Sequence, residues 1–339
     1  KFALKLDPSL EISSKRLFAF IKHYLRQAAN EEGHTWVDLQ AVCNGIVDYI
    51  PQCKTLFDNL FMQKESPKYP NYFIIDNGKI GLSKYKDCEE NIYSILKDLD
   101  SYKFHNPIDV EGGIARAELA LGYTLTEEQK NIVRMVNDHN IVIFTGSAGT
   151  GKSSSARAIL ESFKGSHIAC CSLSAKAAQR IKEATGFEAS TIHRLLGYDG
   201  NNFIYNAANR LPADIVFIDE CSMMNCDIYY SIISAVKEGA KVIMCGDNLQ
   251  LPPIGAGNVF SDLLEKSNTF SVSKLTKVHR QAEKSGILND ANAIRKGIMP
   301  IRLTDTQITT GDLQDMMYVF RDQRDRIRNI AVNQFVKIA

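Results

Sequence analysis

The sequence has no apolar run long enough to cross a bilayer, no C-x-x-C pair and almost no net charge. The first absence excludes a membrane-spanning helix. The second, together with the lack of any Cys/His spacing suited to zinc, removes the sequence grounds for a metal-stapled fold. Eight cysteines are nevertheless present: Cys43, Cys53, Cys88, Cys170, Cys171, Cys221, Cys226 and Cys245. Several fall in apolar, strand-like runs where a free thiol packs as a small hydrophobe, a usage that suits a reducing cytoplasm. Lys and Arg number 40 against 39 Asp and Glu, a formal charge of +1, so any nucleic-acid site has to be a local groove. The start, Lys1-Phe2-Ala3-Leu4-Lys5, lacks an initiator Met and a signal-peptide pattern. The expectation is a piece of a soluble intracellular protein, with 339 residues implying two or more domains.

What is there centres on Gly146-Ser147-Ala148-Gly149-Thr150-Gly151-Lys152-Ser153, which meets every constrained position of G-x-x-x-x-G-K-[ST]. The run Ile141–Thr145 before it predicts a buried strand, and Ser153–Leu160 after it predicts a helix whose Ser154 joins the loop as a nucleotide-binding candidate. Glycines let backbone N–H groups curl around phosphates, and the helix N-terminus adds its positive dipole end. Lys152 would reach the β- and γ-phosphates and Ser153 would hold Mg²⁺. A Gly/Ser turn that binds nothing is the plainer alternative, and the strand–loop–helix setting argues against it.

Further strand candidates are His167–Leu173, Asp214–Ile218, Lys241–Cys245 and Phe270–Leu275, with helical patterns between most of them. The alternation implies an α/β fold, a parallel sheet with helices on both faces and ligands at the carboxyl ends of its strands. One run, Ile215–Ile218, ends in Asp219-Glu220. Asp219 would hold Mg²⁺, in part through water, and Glu220 would polarise an attacking water. Alone, the pair would read as a helix cap with dipole partners. Gln250, before Leu251-Pro252-Pro253, could orient that water or bond the local backbone. Arg280 could donate to the transferring phosphoryl group or sit in a surface ion pair. Thr126-Glu127-Glu128-Gln129 fits a capping box, and the Gln129 amide could equally read an adenine edge.

Upstream, Ser14–Asn30 predicts an amphipathic helix, followed by helices over Val37–Tyr49 and Cys53–Gln63. Tyr72–Leu82 then places two short strands around Asn77-Gly78, a strong hairpin signal. Three helices and a hairpin suggest a winged-helix module that either contacts nucleic acid or serves as a packing or docking wing.

In this order and spacing the motifs resemble superfamily 1B DNA helicases of the RecD-like, exodeoxyribonuclease V alpha type. Leu125–Gln129 resembles the adenine-reading Q motif, and Gly146–Ser153 resembles motif I. Ser172–Arg180 is similar to motif Ia, Ser190–Leu196 to the DNA-contacting motif Ib, Asp219–Met223 to motif II, Gly246–Pro253 to motif III and Val278–Gln281 to motif IV. The resemblance implies a RecA-like motor that uses ATP and Mg²⁺ and moves 5′ to 3′ on single-stranded DNA, acting at duplex/single-strand junctions with no membrane partner. Ser174, Lys176, Thr191 and His193 are the implied DNA contacts, apt for phosphate but each also a plausible solvated cap. The expected organisation is an N-terminal winged-helix-like domain over 1–103, a linker over 104–122, a first motor domain over 123–300 and the start of a second over 301–339. A hairpin insertion over 197–212 with three aromatics, Tyr198, Phe203 and Tyr205, would be the duplex-splitting pin. A strand over Met317–Phe320 and a helix over Asp322–Lys337 are expected at the end, and most of the second motor domain would lie beyond Ala339. The alternatives are a P-loop regulatory ATPase and a non-enzymatic DNA-binding module with a structural nucleotide.

Overall fold

The first helix, α1 (Ser14–Glu31), is capped by the Ser13 hydroxyl, which accepts from the Arg16 N–H. Leu17, Ile21, Leu25 and Ala29, spaced four apart, form its buried stripe. In the computed structural model, residues 7–62, 69–277, 284–299, 307–313 and 315–319 are described. They divide into two compact units, one of Lys1–Thr145 and Ser153–Lys274, the other of Gly146–Lys152 and Leu275–Ala339.

In the first unit, α1 leads to β1 (Trp36–Asp38), α2 (Leu39–Tyr49), α3 (Lys54–Phe61), β2 (Phe73–Asp76) and β3 (Lys79–Leu82). The hairpin forms as expected. Asn77 and Gly78 both have positive φ, 46° and 76°, the type I′ geometry that matches strand twist. The sheet order is β1-β3-β2, antiparallel throughout, with Val37 opposite Ile80. Three helices with a sheet of this order make a winged-helix arrangement. Residues 37 and 38, expected at a helix start, instead extend with Trp36 along β3, where the aromatic Trp36 and branched Val37 suit a pleated surface. The third expected helix starts at Lys54 after a 3-10 turn over Pro51–Cys53, and Gln63 lies outside the described residues. Phe57, Phe61, Phe73 and Ile80 fill the core, with Phe61 stacked on Phe57 at 5.0 Å.

Helix α4 (Ser83–Ser101) serves two cores. Tyr85 packs into the winged-helix cluster, while Ile92, Leu96 and Leu99 pack with Tyr229, Ile232 and Ile233 of α10 (Cys226–Ser234). At its end Asp100 Oδ1 accepts from the N–H groups of Asn140 and Ile141, fixing the start of β4 (Ile141–Gly146). Residues 104–122, expected as a linker, carry α5 (Val110–Leu121). Gly113 lets it approach α7 (Lys152–Ser162), since a Cβ there would collide with Ser162, and Arg116 pairs with Glu161. Then α6 (Glu127–Asp138) opens on a complete capping box.

The central sheet adds β5 (Ile168–Ser172), α8 (Ala175–Thr185), β6 (Ala189–Thr191), α9 (Ile192–Leu195), β7 (Ile215–Asp219), β8 (Lys241–Gly246), α11 (Val259–Glu265) and β9 (Ser271–Leu275). Its order is β6-β5-β7-β8-β4-β9, and the pairs β6/β5, β5/β7, β7/β8 and β8/β4 are parallel. Every residue of β4 and β8 is buried, as strands covered on both faces require. The expected α/β parallel sheet is therefore present, with β6 an addition. The expected hairpin over 197–212 is a bridged turn: Tyr198 pairs with Phe203, and Asp199 Oδ1 accepts from the N–H groups of Asn201 and Asn202.

In the second unit, α12 (Gly286–Arg295) is followed by β10 (Gln307–Thr310) and β11 (Met316–Val319), an antiparallel pair. The expected strand over 317–320 corresponds to β11, and the expected helix over 322–337 lies outside the described residues. No helix among the described residues is long and apolar enough to cross a membrane.

Candidate nucleotide and nucleic-acid site

The glycine-rich loop leaves β4 and runs into α7, the strand–loop–helix expected from the sequence. Gly149 and Gly151 have φ of 83° and 86°, values that a side chain would disfavour. A Cβ on Gly146 would lie 2.5 Å from Thr150 Oγ1 and 2.9 Å from Leu275 Cβ, so this position too requires glycine. Thr150 Oγ1 donates to the Ser147 carbonyl at 2.7 Å, tightening the loop between Ser147, Ala148 and Thr150. Lys152 Nζ donates to the Gly146 carbonyl at 2.6 Å, which holds the ammonium at the loop. Ser153 is exposed at the start of α7, whereas Ser154 is buried and shares a 2.7 Å hydrogen bond with the Tyr123 hydroxyl.

Within the first unit, the carboxyl ends of β5, β7, β8 and β4 stand side by side. Ser172 is in register with Asp219, and Thr145 with Gly246. Ser172 Oγ donates to the Asp219 carbonyl at 3.1 Å. Glu220 follows with φ 55° and ψ 38°, a left-handed conformation that is costly for a residue with a side chain, and its N–H donates to Asp219 Oδ1 at 2.9 Å. A 3-10 turn over Cys221–Met223 comes next, so the two carboxylates do not open a helix as caps. Beneath them the Cys171 and Cys221 thiols are fully buried, and burial pushes both well above their ordinary pKa, keeping them neutral. Gly246 has no room for a side chain: a Cβ would meet the Phe260 ring at 2.8 Å and Ser222 N at 3.0 Å.

The polar loop after β8 is held by bonds that sequence reading missed. Asp247, almost fully buried, accepts the Leu249 N–H on its carboxylate and the Gln250 N–H on its carbonyl. Thr145 Oγ1 donates to Asn248 Oδ1 at 3.2 Å and accepts from Asn248 N at 3.4 Å, tying the last residue before the glycine-rich loop to the loop that carries Gln250. Thr145 was available to a reader as the polar end of an otherwise apolar run; its partner 103 positions away was not. Gln250 itself is half-buried.

Gln129 is fully buried, and its Oε1 accepts the Thr126 N–H at 2.8 Å while Thr126 Oγ1 accepts the Gln129 N–H at 3.3 Å. The capping half of its two expected readings is thus realised. Ser174 and Thr191 also act as caps, accepting from Ala177 N and Arg194 N. The register of Ser172 with Thr191 brings the ends of β5 and β6 together. Lys176 is exposed in the first turn of α8. His193 is half-buried, with its ring 5.5 Å from Tyr198 and 5.7 Å from Phe203. Arg280 lies outside the described residues.

Residues 124–315 match the sequence profile of the family described as AAA domain. The chain is 30% identical over 298 residues to the ATP-dependent RecD2 DNA helicase of Deinococcus radiodurans, covering 84% of this chain and 41% of that protein. It is 28% identical over 240 residues to the RecBCD enzyme subunit RecD of Mycolicibacterium smegmatis, covering 62% and 42%. The chain spans about two fifths of the length of these relatives. Among solved structures, Bacteroides Pif1 bound to single-stranded DNA overlays on 52% of this chain and 47% of its own, at 26% identity and a TM-score of 0.37. The resemblance expected from the motifs is borne out at the level of sequence.

Proposed function

Since the chain belongs to the AAA domain family through residues 124–315, we propose that it works as an ATP-dependent DNA helicase of the RecD-like superfamily 1B type. It would move 5′ to 3′ on single-stranded DNA and couple hydrolysis to unwinding at duplex/single-strand junctions. One observation carries this reading: a loop that needs glycine at 146, 149 and 151, set between a buried strand and a helix, and ending in Lys152-Ser153.

The loop N–H groups and Lys152 hold the phosphates, and the capping bond at Thr126 fixes the Gln129 amide that reads adenine. Ser153 and Asp219 offer a hydroxyl and a carboxylate, hard oxygen donors suited to Mg²⁺. Held there, Mg²⁺ would supply positive charge that offsets the phosphate charge. Glu220 takes the proton of the attacking water, Gln250 orients that water and Arg280 donates to the transferring phosphoryl group. Ser174, Lys176 and Thr191 face strand phosphates, and the His193–Tyr198–Phe203 cluster offers rings for bases to stack on. The cytoplasm is the compartment we assign, in keeping with eight free cysteines.

The test is a pair of assays on the full-length protein: ATP turnover with and without oligothymidylate, and strand separation of 5′-tailed against 3′-tailed duplexes. Stimulated turnover and a preference for the 5′ tail are expected, with strand affinity that falls as salt is added. Turnover indifferent to DNA would refute the helicase reading.

A further inference from the structure

Helix α1 carries more apolar surface than its core requires. Besides the buried Leu17 stripe, it presents Phe20 and Tyr24 to a groove of about 710 Å³ that is also lined by Trp36 and by Tyr49. The Phe20 ring lies 6.1 Å from both Tyr24 and Tyr49, and Tyr49 is 73% exposed. These rings line an open surface of the winged-helix region, beside the closed cluster around Phe57 and Phe61.

Two glycines make room for them. A Cβ on Gly45, inside α2, would stand 2.9 Å from the Tyr24 ring, and one on Gly81, in β3, would stand 2.8 Å from the Thr35 carbonyl and 3.3 Å from the Trp36 ring. Neither glycine has a positive φ, so the backbone does not call for them. A glycine inside a helix is less stable there than alanine would be. The fold gives up that stability where two rings of the groove are seated.

The charge around the rings selects the occupant. Glu31, Glu32 and Asp38 line the groove against one lysine, Lys79, and two histidines, His23 and His34, the latter 3.8 Å from Glu32. Three carboxylates repel a phosphate backbone, the other ligand a winged helix could take. A guanidinium suits both features, because its plane stacks on aromatic faces while its fork donates to carboxylates. We propose that this groove docks an arginine-bearing peptide segment of a protein partner.

Trp36 is the sole tryptophan of the chain, so its emission reports on the groove directly. The probe is an acetylated, amidated peptide Leu-Arg-Leu-Arg-Leu, titrated against the full chain beside the matching Leu-Glu-Leu-Glu-Leu peptide and a short duplex DNA. A saturable change with the arginine peptide alone is expected, weakened by added salt. Affinity should fall tenfold or more in Tyr49→Ala and in the double variant Glu31→Lys/Asp38→Lys. These side chains are exposed, and circular dichroism checks that the variants keep the fold. The proposal is overturned if millimolar arginine peptide gives no saturable response, if the glutamate peptide responds equally, or if DNA saturates the signal and Tyr49→Ala abolishes that response.

Discussion

Glu220 provides a test that reads backbone strain separately from the loss of its carboxylate. Its φ of 55° and ψ of 38° lie in the left-handed region, which costs a residue bearing a Cβ about 1–2 kcal/mol and glycine almost nothing. Comparing wild type with a glycine variant would mix relief of strain with loss of the carboxylate and its contacts. The comparison of Glu220→Ala with Glu220→Gly cancels the carboxylate, since both variants lack it. In most of a protein alanine is the more stable of the two, because glycine loses more chain entropy on folding by roughly 0.5–1 kcal/mol. Here the order should invert, with Glu220→Gly more stable than Glu220→Ala by about 1 kcal/mol after that entropy is deducted. Urea denaturation of both variants, followed by far-ultraviolet circular dichroism, reads the difference in midpoint. Neither variant should hydrolyse ATP. Glu220→Gln should retain nucleotide affinity and lose turnover, because an amide keeps the shape but takes no proton. If Glu220→Ala proves the more stable, or if Glu220→Gly turns over ATP at the wild-type rate, the view of Glu220 as a strained base is wrong.

Lys152→Ala should weaken binding of a fluorescent ATP analogue and abolish turnover in the full-length protein, and unchanged activity would remove Lys152 from the phosphate site. Thr145→Val deletes both bonds to Asn248 while keeping the side-chain shape, so a loss of about 1 kcal/mol in denaturation is expected; no loss would mean the link is idle. Lys241, 2% exposed, has its pKa lowered by burial to about 8, against 10.5 when free. The folded state therefore holds its proton less firmly than the unfolded chain, and stability should rise as pH climbs from about 8 to 10.5, by about 3 kcal/mol at most. That rise should be missing in Lys241→Met, and an identical pH profile for the two proteins would contradict it.

The parts of the fold legible in the sequence are those where one local signal settles the conformation. Buried runs such as Ile141–Gly146 and Lys241–Gly246 announce strands covered on both sides, and Asn77-Gly78 announces its turn. The Thr126–Gln129 box was readable as well, because both of its bonds form within four residues. What escaped depends on distant partners. Residues Ala189–Thr191 are too short and too polar to signal a strand, and exist as β6 because β5 offers an edge in register. Trp36–Asp38 likewise owes its extension to β3. Gly112-Gly113 disguised α5 as a linker, since glycine is a poor helix former; at Gly113 it is needed for contact with Ser162. For the DNA contacts, the sequence left cap and phosphate contact both open at Ser174 and Thr191, whose hydroxyls do cap helices, and could not show that His193 is wedged among rings.

Helix α4 has a bearing on descent. Tyr85 belongs to one core and Ile92, Leu96 and Leu99 to another, so the helix is a stave common to both. A lineage that lost the winged region together with α4 would strip one wall from the cluster around Tyr229, exposing three aliphatic side chains' worth of partner surface. Loss of the winged region would survive only if α4 stayed behind, or if a replacement helix arrived with apolar residues at the same spacing. The heritable unit of this architecture is therefore the sheet together with its borrowed helix, and an accessory region can be traded only on the far side of that stave.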